Sequence, residues 1–427
     1  MKDNRQSKNW MKLDNAAKIY PASRSGGWMA TFRLSASLTE EIDPVILAAA
    51  EERTARRFPS FCLRLRRGFF WYYLETIDTP PIPEKDVKNP CANFDFEKTG
   101  GYCFRVRYHE NRIALEFFHV ITDGTGGLVF LKTLVAEYLE LKYGVKIPRG
   151  DEILDCNEAP RPEELEDCYL KHARKVRLKR RDESSYRQKG EKEEKGIINV
   201  VTAITETEGL LKKAKSCGAT VTEYLTAHLI AAYRTVQLTE KKKSERIKPI
   251  KICIPVNLRR FYGAKTLRNF AEFVNVGIDC RLGEYEFNEI IKTVHHQMGL
   301  YINEKYLNSK ISANVGDERN ALVRVVPLFI KDMVLKIAFK KNGDRTSATT
   351  LSNLGRIVLP DEMSRYITRF DFMLGALSKN PSAFATVSYG ESTVINMVRS
   401  IVEADVEREF CRRLVKDGIH IKVESNR

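Results

Sequence analysis

The chain has 427 residues, of which 43% are hydrophobic and 30% charged. At about 150 residues per domain, this length predicts two or three domains and a core that needs no disulfide or metal to hold it. The formal net charge of +15 has three interpretations: a solvated basic surface, attraction of an anionic cofactor, or nucleic-acid binding. Nucleic-acid binding is disfavoured, because no helix-turn-helix, zinc-finger, RNP or KH signature is present.

The cysteines and the hydrophobic stretches limit where the protein can act. Nine cysteines are scattered without a CxxC pair or zinc-ligand spacing, so we expect no metal site and a reducing compartment. The polar first eight residues are not followed by an apolar segment, and the most hydrophobic stretch, residues 321–339, carries four charged residues. We therefore expect no secretory signal, no membrane span, and a soluble, cytoplasmic protein.

The first part of the chain alternates strand and helix patterns. Asp43 or Thr39 would cap a helix that begins near Pro44. Alternating or apolar runs bounded by turn residues predict the strands, which fall at residues 28–36, 61–65, 69–76, 103–108 and 112–118. The last strand ends directly at His119, and an apolar helix follows Gly127.

Residues 150–196 are poor in apolar side chains and contain a basic run at 171–181, which favours an exposed linker. Strand and helix patterns then resume at 197–205, 206–216, 224–233, 250–255, 372–377, 384–389, 405–414 and 419–423. This mixture in both halves indicates an α/β protein. We predict an N-terminal lobe at 1–160, a charged linker or crossover at 161–196, and a C-terminal lobe at 197–427. His228 lies in an apolar helical stretch and is predicted to be a core residue.

The segment HVITDG at 119–124 joins a strand to a helix, and α/β proteins usually bind ligands in loops that follow strands. Histidine is the side chain best suited to take a proton from a hydroxyl near pH 7. Asp123 can fix the loop, and Gly124 permits close approach to a ligand. On spacing alone, the alternative is a turn histidine beside a turn-forming Asp-Gly pair.

In this setting, HxxxDG resembles the active-site motif of the CoA-dependent acyltransferase superfamily. That group includes chloramphenicol acetyltransferases, alcohol acetyltransferases and the condensation domains of nonribosomal peptide synthetases. IPVNLRR at 254–260 and TLRNF at 266–270 resemble a segment of the superfamily's second lobe. SNLG at 352–355 resembles a turn of the alcohol acetyltransferase branch. The resemblance runs from about residue 14 to the end, and the chain is similar to the bacterial members of that branch.

The resemblance implies two chloramphenicol-acetyltransferase-like lobes, each a mixed β-sheet flanked by helices, with an active-site tunnel between them. It implies that the acyl donor is an acyl-CoA, with acetyl-CoA the expected one, and that no metal takes part. His119 would be the general base for an alcohol or amine acceptor, and Asp123 would pair with an arginine. The candidates for that arginine are Arg259 and Arg33. The candidates for stabilising the oxyanion or binding substrate are Thr125, Ser352 and Asn353.

One departure narrows the chemistry. Condensation domains usually carry two adjacent histidines, whereas Phe118 stands at the first position here. Phe118 is compatible with simple acyl transfer and argues against a condensation domain. Two alternatives remain: an acyltransferase that takes its acyl group from an acyl carrier protein, and an inactive homologue that only binds.

Overall fold

A computed structural model describes residues 10–23, 30–97, 100–174, 183–194, 196–240, 247–319, 325–342, 344–377 and 380–427. Most of the basic run at 171–181 lies outside the described residues. Within them, no helix is long and apolar enough to cross a membrane.

The strands of the described residues form three sheets. Their bounds are β1 Trp10–Lys12, β2 Thr31–Leu38, β3 Leu63–Arg67, β4 Tyr72–Thr76, β5 Glu84–Lys85, β6 Phe104–His109, β7 Arg112–Phe118, β8 Asn199–Glu206, β9 Ile250–Asn257, β10 Ala271–Ile278, β11 Thr349–Ile357, β12 Ile367–Leu374, β13 Ser382–Tyr389, β14 Ser392–Arg399 and β15 Lys422–Ser425. The sheet orders are β1-β4-β3, β12-β2-β7-β6-β5 and β10-β9-β11-β13-β14-β8-β15.

Several helices pack on the two larger sheets. Their bounds are α1 Ile19–Ser23, α2 Pro44–Arg57, α3 Gly124–Tyr143, α4 Cys168–His172, α5 Thr207–Ser216, α6 Val221–Thr239, α7 Arg259–Tyr262, α8 Phe287–Tyr301, α9 Glu304–Arg319, α10 Leu328–Asn342, α11 Asp361–Ser364 and α12 Asp405–Lys416.

The helix starts follow from local capping. Asp43 accepts the backbone N–H groups of Val45 and Ile46, with Pro44 at the first helical position, so Asp43 and not Thr39 begins α2. Thr220 and Glu223 form a capping box at the start of α6. These caps satisfy backbone donors that would otherwise lack a partner inside the protein.

Both larger sheets are mixed. In the five-stranded sheet, β5 pairs with β6 in parallel, while its other pairs are antiparallel. In the seven-stranded sheet, β11 runs parallel to both β9 and β13, and its other pairs are antiparallel. The prediction of an α/β fold with mixed sheets flanked by helices is confirmed.

The two larger sheets are not built from separate halves of the sequence. β12 belongs to the second half of the sequence, yet it pairs with β2 along Phe370↔Ala36 and its neighbours. One apolar core surrounds the five-stranded sheet and α3, and another surrounds α6 and most of the seven-stranded sheet. The lobe boundaries at 160 and 197 therefore stay a prediction, with β12 crossing back to the first sheet.

The segment predicted to be an exposed linker is partly buried, which corrects that expectation. Glu164, Tyr169 and Tyr186 are all buried. Arg57 donates two hydrogen bonds to the Glu164 carboxylate, at 2.6 and 2.8 Å. The Leu267 N–H donates to the Glu164 carbonyl at 2.8 Å. Composition misled here because a few buried residues anchor a segment whose other side chains are charged.

Candidate active site

His119 lies one residue beyond the carboxyl end of β7, the central strand of the five-stranded sheet. Its N–H donates to the Ala30 carbonyl at 2.9 Å, and its carbonyl accepts from Asn269 Nδ2 at 2.9 Å. The backbone of His119 is thus held from both sides, by the chain before β2 and by the segment before β10. These bonds fix the backbone from which the imidazole projects, and a general base has to be held in position.

Two aromatic rings cover the imidazole. The Tyr20 ring stacks on it with centroids 5.1 Å apart and planes 17° apart, and the Phe32 ring lies tilted at 4.7 Å. His119 keeps only part of its surface exposed. The pocket is therefore mostly apolar around the ring.

Burial lowers the pKa of His119 below its usual value of 6.5, and the Asp123 carboxylate opposes that shift only in part. Asn269 and the Thr122 backbone act in the same direction as Asp123. Even so, no described residue gives buried Nδ1 a hydrogen bond of ordinary geometry. The lowered pKa keeps the imidazole neutral near pH 7, the form that can accept a proton.

Asp123 has both carboxylate oxygens engaged. Oδ1 accepts from the N–H groups of Thr125 and Gly126, both at 3.1 Å, and so caps α3. Oδ2 accepts from Arg259 Nη1 at 2.9 Å and from the Phe270 N–H at 2.8 Å. Although burial opposes ionisation, Arg259 and these bonds hold the pKa of Asp123 below its usual range.

Arg259 reaches Asp123 from the other large sheet, at the end of β9. Its Nε donates to the Thr266 carbonyl at 2.8 Å and its Nη2 to the Arg268 carbonyl at 2.6 Å. The guanidinium therefore joins the start of α3 to the 266–270 segment. Its planar, forked donors suit several acceptors at once.

Arg33 was the other candidate partner of Asp123. The structure places it elsewhere, so that prediction was wrong. It pairs with Glu116 at 3.0 Å and with Asp86, and its side chain is almost fully buried. It lies on β2 at the position opposite Glu116 of β7, so cross-strand pairing determines its partner. Asp123 is not among the described partners of Arg33.

The glycines of the loop permit close packing of the two halves. A Cβ at Gly126 would overlap the Leu267 carbonyl oxygen and the Thr122 hydroxyl. Thr122 Oγ1 itself donates to that carbonyl at 2.7 Å. A Cβ at Gly124 would lie 3.0 Å from Leu354 Cδ2. The loop that follows His119 is therefore pressed against the 267 region and against β11.

The three candidate oxyanion residues differ in how they are engaged. Thr125 Oγ1 accepts from Asn257 Nδ2 at 3.2 Å, which leaves its own hydroxyl hydrogen free to be donated. Asn353 donates to Thr222 Oγ1 at 2.9 Å and accepts from the Gly355 N–H at 2.7 Å. Ser352 lies on β11 opposite Ala385, two residues from Leu354.

The structure brings in residues that the sequence reasoning did not assign. Asn269 Nδ2 donates to the Asp14 carboxylate at 3.1 Å as well as to His119. Burial raises the pKa of Asp14 to about 6, with Arg268 opposing. Asn269 lay within the TLRNF segment, so its place in that motif was a signal. No signal in the sequence pointed to Tyr20, because it lies in the short helix α1, which the sequence analysis did not predict.

An open cleft of about 660 Å³ lies beside the end of β11, away from His119 itself. It includes Arg356, Asp361 and Tyr389.

No family model matches the sequence, and no curated protein matches it. Solved structures match along nearly the whole chain. A trichothecene 15-O-acetyltransferase from Fusarium sporotrichioides has a TM-score of 0.61 at 12% identity, covering 95% of this chain and 94% of that one. Polyketide synthase associated protein 5 from Mycobacterium tuberculosis has a TM-score of 0.58 at 11% identity, covering 94% and 96%.

A third similar structure is the starter condensation domain of rhizomide synthetase, solved as a mutant with C8-CoA and Leu-SNAC. It has a TM-score of 0.59 at 12% identity, covering 95% of this chain and 93% of that one. The chain therefore has the two-lobed fold of the CoA-dependent acyltransferases and condensation domains. The predicted resemblance is confirmed at the level of the fold.

Proposed function

We propose that the chain is an acyltransferase that moves an acyl group from acyl-CoA, acetyl-CoA in the first place, to the hydroxyl of an alcohol-type acceptor. The observation that carries this proposal is the setting of His119: a neutral, ring-covered imidazole held at the end of β7. Similar structures include an O-acetyltransferase and a domain solved with an acyl-CoA, which supports both the reaction class and the donor.

The reaction needs only the residues of this site and the two substrates. His119 takes the proton of the acceptor hydroxyl as its oxygen attacks the thioester carbonyl carbon. Negative charge then develops on the carbonyl oxygen, and we propose that the Thr125 hydroxyl donates a hydrogen bond to it. Collapse of the intermediate breaks the carbon–sulfur bond, and His119 returns the proton to the departing thiolate. The products are an ester and free CoA.

In this scheme Asp123 is a positioning residue that holds the loop and does not itself react. Both of its carboxylate oxygens accept hydrogen bonds from the protein, four in all, and its pKa is lowered. It holds the start of α3 against Arg259, so that His119 and Thr125 keep their separation. Gly124 allows this loop to approach β11.

The test is release of CoA from a series of acyl-CoAs in the presence of a panel of alcohols and amines. His119→Ala should reduce turnover about 10²- to 10⁴-fold, the usual contribution of a general base. His109→Ala is the matched control, because His109 is an exposed histidine at the end of β6 and should leave turnover unchanged. Equal turnover in His119→Ala and the wild type would refute the mechanism.

The donor is tested separately. Transfer from an acylated carrier protein, with none from acyl-CoA, would replace the proposed donor and keep the same base. Binding of acyl-CoA with no transfer to any acceptor would favour the inactive homologue. In both cases the wild-type protein is used at full length.

A further inference from the structure

Helix α10 has the reverse of the usual amphipathic arrangement. The polar side chains of Lys331 and Asp332 are buried against the protein, whereas Phe329, Met333 and Ile337 are 63%, 58% and 51% exposed. A helix on the surface of a globular protein normally turns its apolar stripe inward. The outward apolar face of α10 therefore needs an explanation that core packing does not give.

The buried polar face has specific partners. Lys331 Nζ donates to the Phe70 carbonyl at 3.0 Å and lies 3.5 Å from the centre of the Trp71 ring. Asp332 accepts from Tyr72 Oη at 2.9 Å. The Leu328 N–H donates to the Phe69 carbonyl at 2.8 Å. These contacts fix the orientation of α10 on the hairpin of β3 and β4. Because the polar face of α10 is held against the hairpin, its apolar face is turned outward.

The tip of that hairpin extends the apolar surface. Phe69 is 71% and Phe70 42% exposed, and their rings pack edge-to-face at 4.8 Å. We call the combined patch the α10 surface; its residues are Phe69, Phe70, Phe329, Ile330, Met333, Val334 and Ile337. Soluble proteins rarely expose apolar patches of this kind unless the patch binds something.

Charge indicates what the α10 surface binds. The sequence of α10 contains four lysines and one aspartate. The three arginines of β3 pair with Glu75 and Asp332, so these two elements and Glu75 together keep an excess of positive charge, and the whole chain carries a net charge of +15. A second copy would bring like charge against like charge, whereas an anionic surface would be attracted. An exposed apolar face in a segment whose sequence is rich in Lys and Arg is typical of helices that lie in the headgroup region of anionic bilayers.

The length of α10 agrees with lying in an interface. Its 15 residues span about 22 Å at 1.5 Å per residue, less than the roughly 30 Å of a bilayer's hydrocarbon core. A helix of this size, with one outward apolar face, can bury that face among lipid headgroups and acyl chains without crossing.

We propose that the α10 surface docks the protein onto anionic phospholipid bilayers. α10 packs on α1, the helix that places Tyr20 over His119. Docking therefore brings the bilayer close to the element that covers the base. A consequence, which rests on the proposed function, is that amphiphilic alcohols held in the bilayer are better acceptors than short ones.

The test measures binding and not catalysis, so that it is independent of the proposed function. Full-length protein is floated with phosphatidylcholine vesicles that contain or lack phosphatidylglycerol. The variant Phe329→Ser/Met333→Ser/Ile337→Ser should lower vesicle-bound protein at least about tenfold, because burying even one such side chain is worth that factor. The control Val45→Ser/Ile82→Ser/Leu282→Ser removes three apolar residues elsewhere that are even more exposed, and it should bind as the wild type does.

Several outcomes would overturn the proposal. They are absence of wild-type binding to the anionic vesicles, equal binding to vesicles without phosphatidylglycerol, and equal loss in the two triple variants. A change of oligomeric state on mutating the α10 surface, without vesicle binding, would assign that surface to a second copy. Competition for vesicles by an acidic carrier protein that also binds the α10 surface in solution would assign it to that protein.

Discussion

Tyr20 and His119 lie stacked, with ring centroids 5.1 Å apart and an interplanar angle of 17°. Tyr20 belongs to α1, near the start of the chain, whereas His119 follows β7. An N-terminal helix thus forms one wall around the proposed base. Since desolvation is the main cause of the lowered pKa of His119, removing this wall should have a measurable electrostatic effect.

Tyr20→Ala should move the acidic limb of the pH–kcat/KM profile to higher pH. His119 acts in its neutral form, so activity falls as the pH drops through its pKa. Admitting water beside the imidazole weakens desolvation and raises that pKa toward 6.5. Tyr20→Phe keeps the stacked ring and is the control, with an unchanged limb. A profile of Tyr20→Ala that coincides with the wild type would show that Tyr20 does not set the pKa.

Asp123→Asn should lower the free energy of unfolding by about 3 kcal/mol or more, because it leaves the Arg259 guanidinium without its buried counter-charge. Side chains of both residues are at most one-tenth exposed. Chemical denaturation measures the loss, and turnover should fall with it. In the double variant Asp123→Asn/Arg259→Gln the losses should be less than additive, since one interaction is removed twice. Full additivity would contradict direct coupling.

The same pair predicts a dependence of stability on pH. The folded-state pKa of Asp123 lies below its usual value of 3.8, so its ionisation stabilises the native state above that value. This contribution is lost as the pH falls through the lowered pKa. The difference in unfolding free energy between wild type and Asp123→Asn should therefore be constant near neutral pH and shrink below about 3.8. A difference that grows on acidification would reverse the assignment.

Gly126→Ala should destabilise the protein and reduce turnover, because the new Cβ would overlap the Leu267 carbonyl and the Thr122 hydroxyl. The expected loss of unfolding free energy is about 1–3 kcal/mol, typical of overpacking. Gly299→Ala is the matched control: Gly299 lies in α8, and a Cβ there meets nothing within 4 Å. Alanine is the better helix former, so this variant should be neutral or more stable. Equal behaviour of the two variants would refute the steric argument.

How far the sequence could predict the molecule is seen at particular elements. The strand that ends at His119 and the helix that follows Asp123 were predictable, because alternation, capping and apolar spacing are local signals. His228 was predicted to be a core residue, and it is buried between Tyr224 and Phe287. Arg259, in the segment 254–260, was one of the two candidate partners of Asp123, and their side chains lie 2.9 Å apart.

The remaining features depend on tertiary contacts that local patterns do not encode. β12 pairs with β2 across more than 300 residues of sequence, and no periodicity signals that partner. Arg33 and Arg259 were equal candidates for Asp123, since side-chain type alone does not say which arginine is near. The burial of Glu164, Tyr169 and Tyr186 depends on partners elsewhere in the chain, such as Arg57 for Glu164, which the charged composition of the segment does not reveal.

Thr125→Val should lower kcat by about 10²- to 10³-fold if Thr125 is the oxyanion donor, with little change in the affinity for acyl-CoA. The prediction follows from Asn257, which donates to Thr125 Oγ1 and so leaves the hydroxyl hydrogen for a second acceptor. Thr125→Ser keeps that hydrogen and should retain most of the rate. Ser352→Ala and Asn353→Ala test the other candidates in the same assay. A large loss of kcat in Ser352→Ala, with none in Thr125→Val, would transfer the role to Ser352, because only a donor to the developing charge lowers kcat without weakening the binding of the donor substrate.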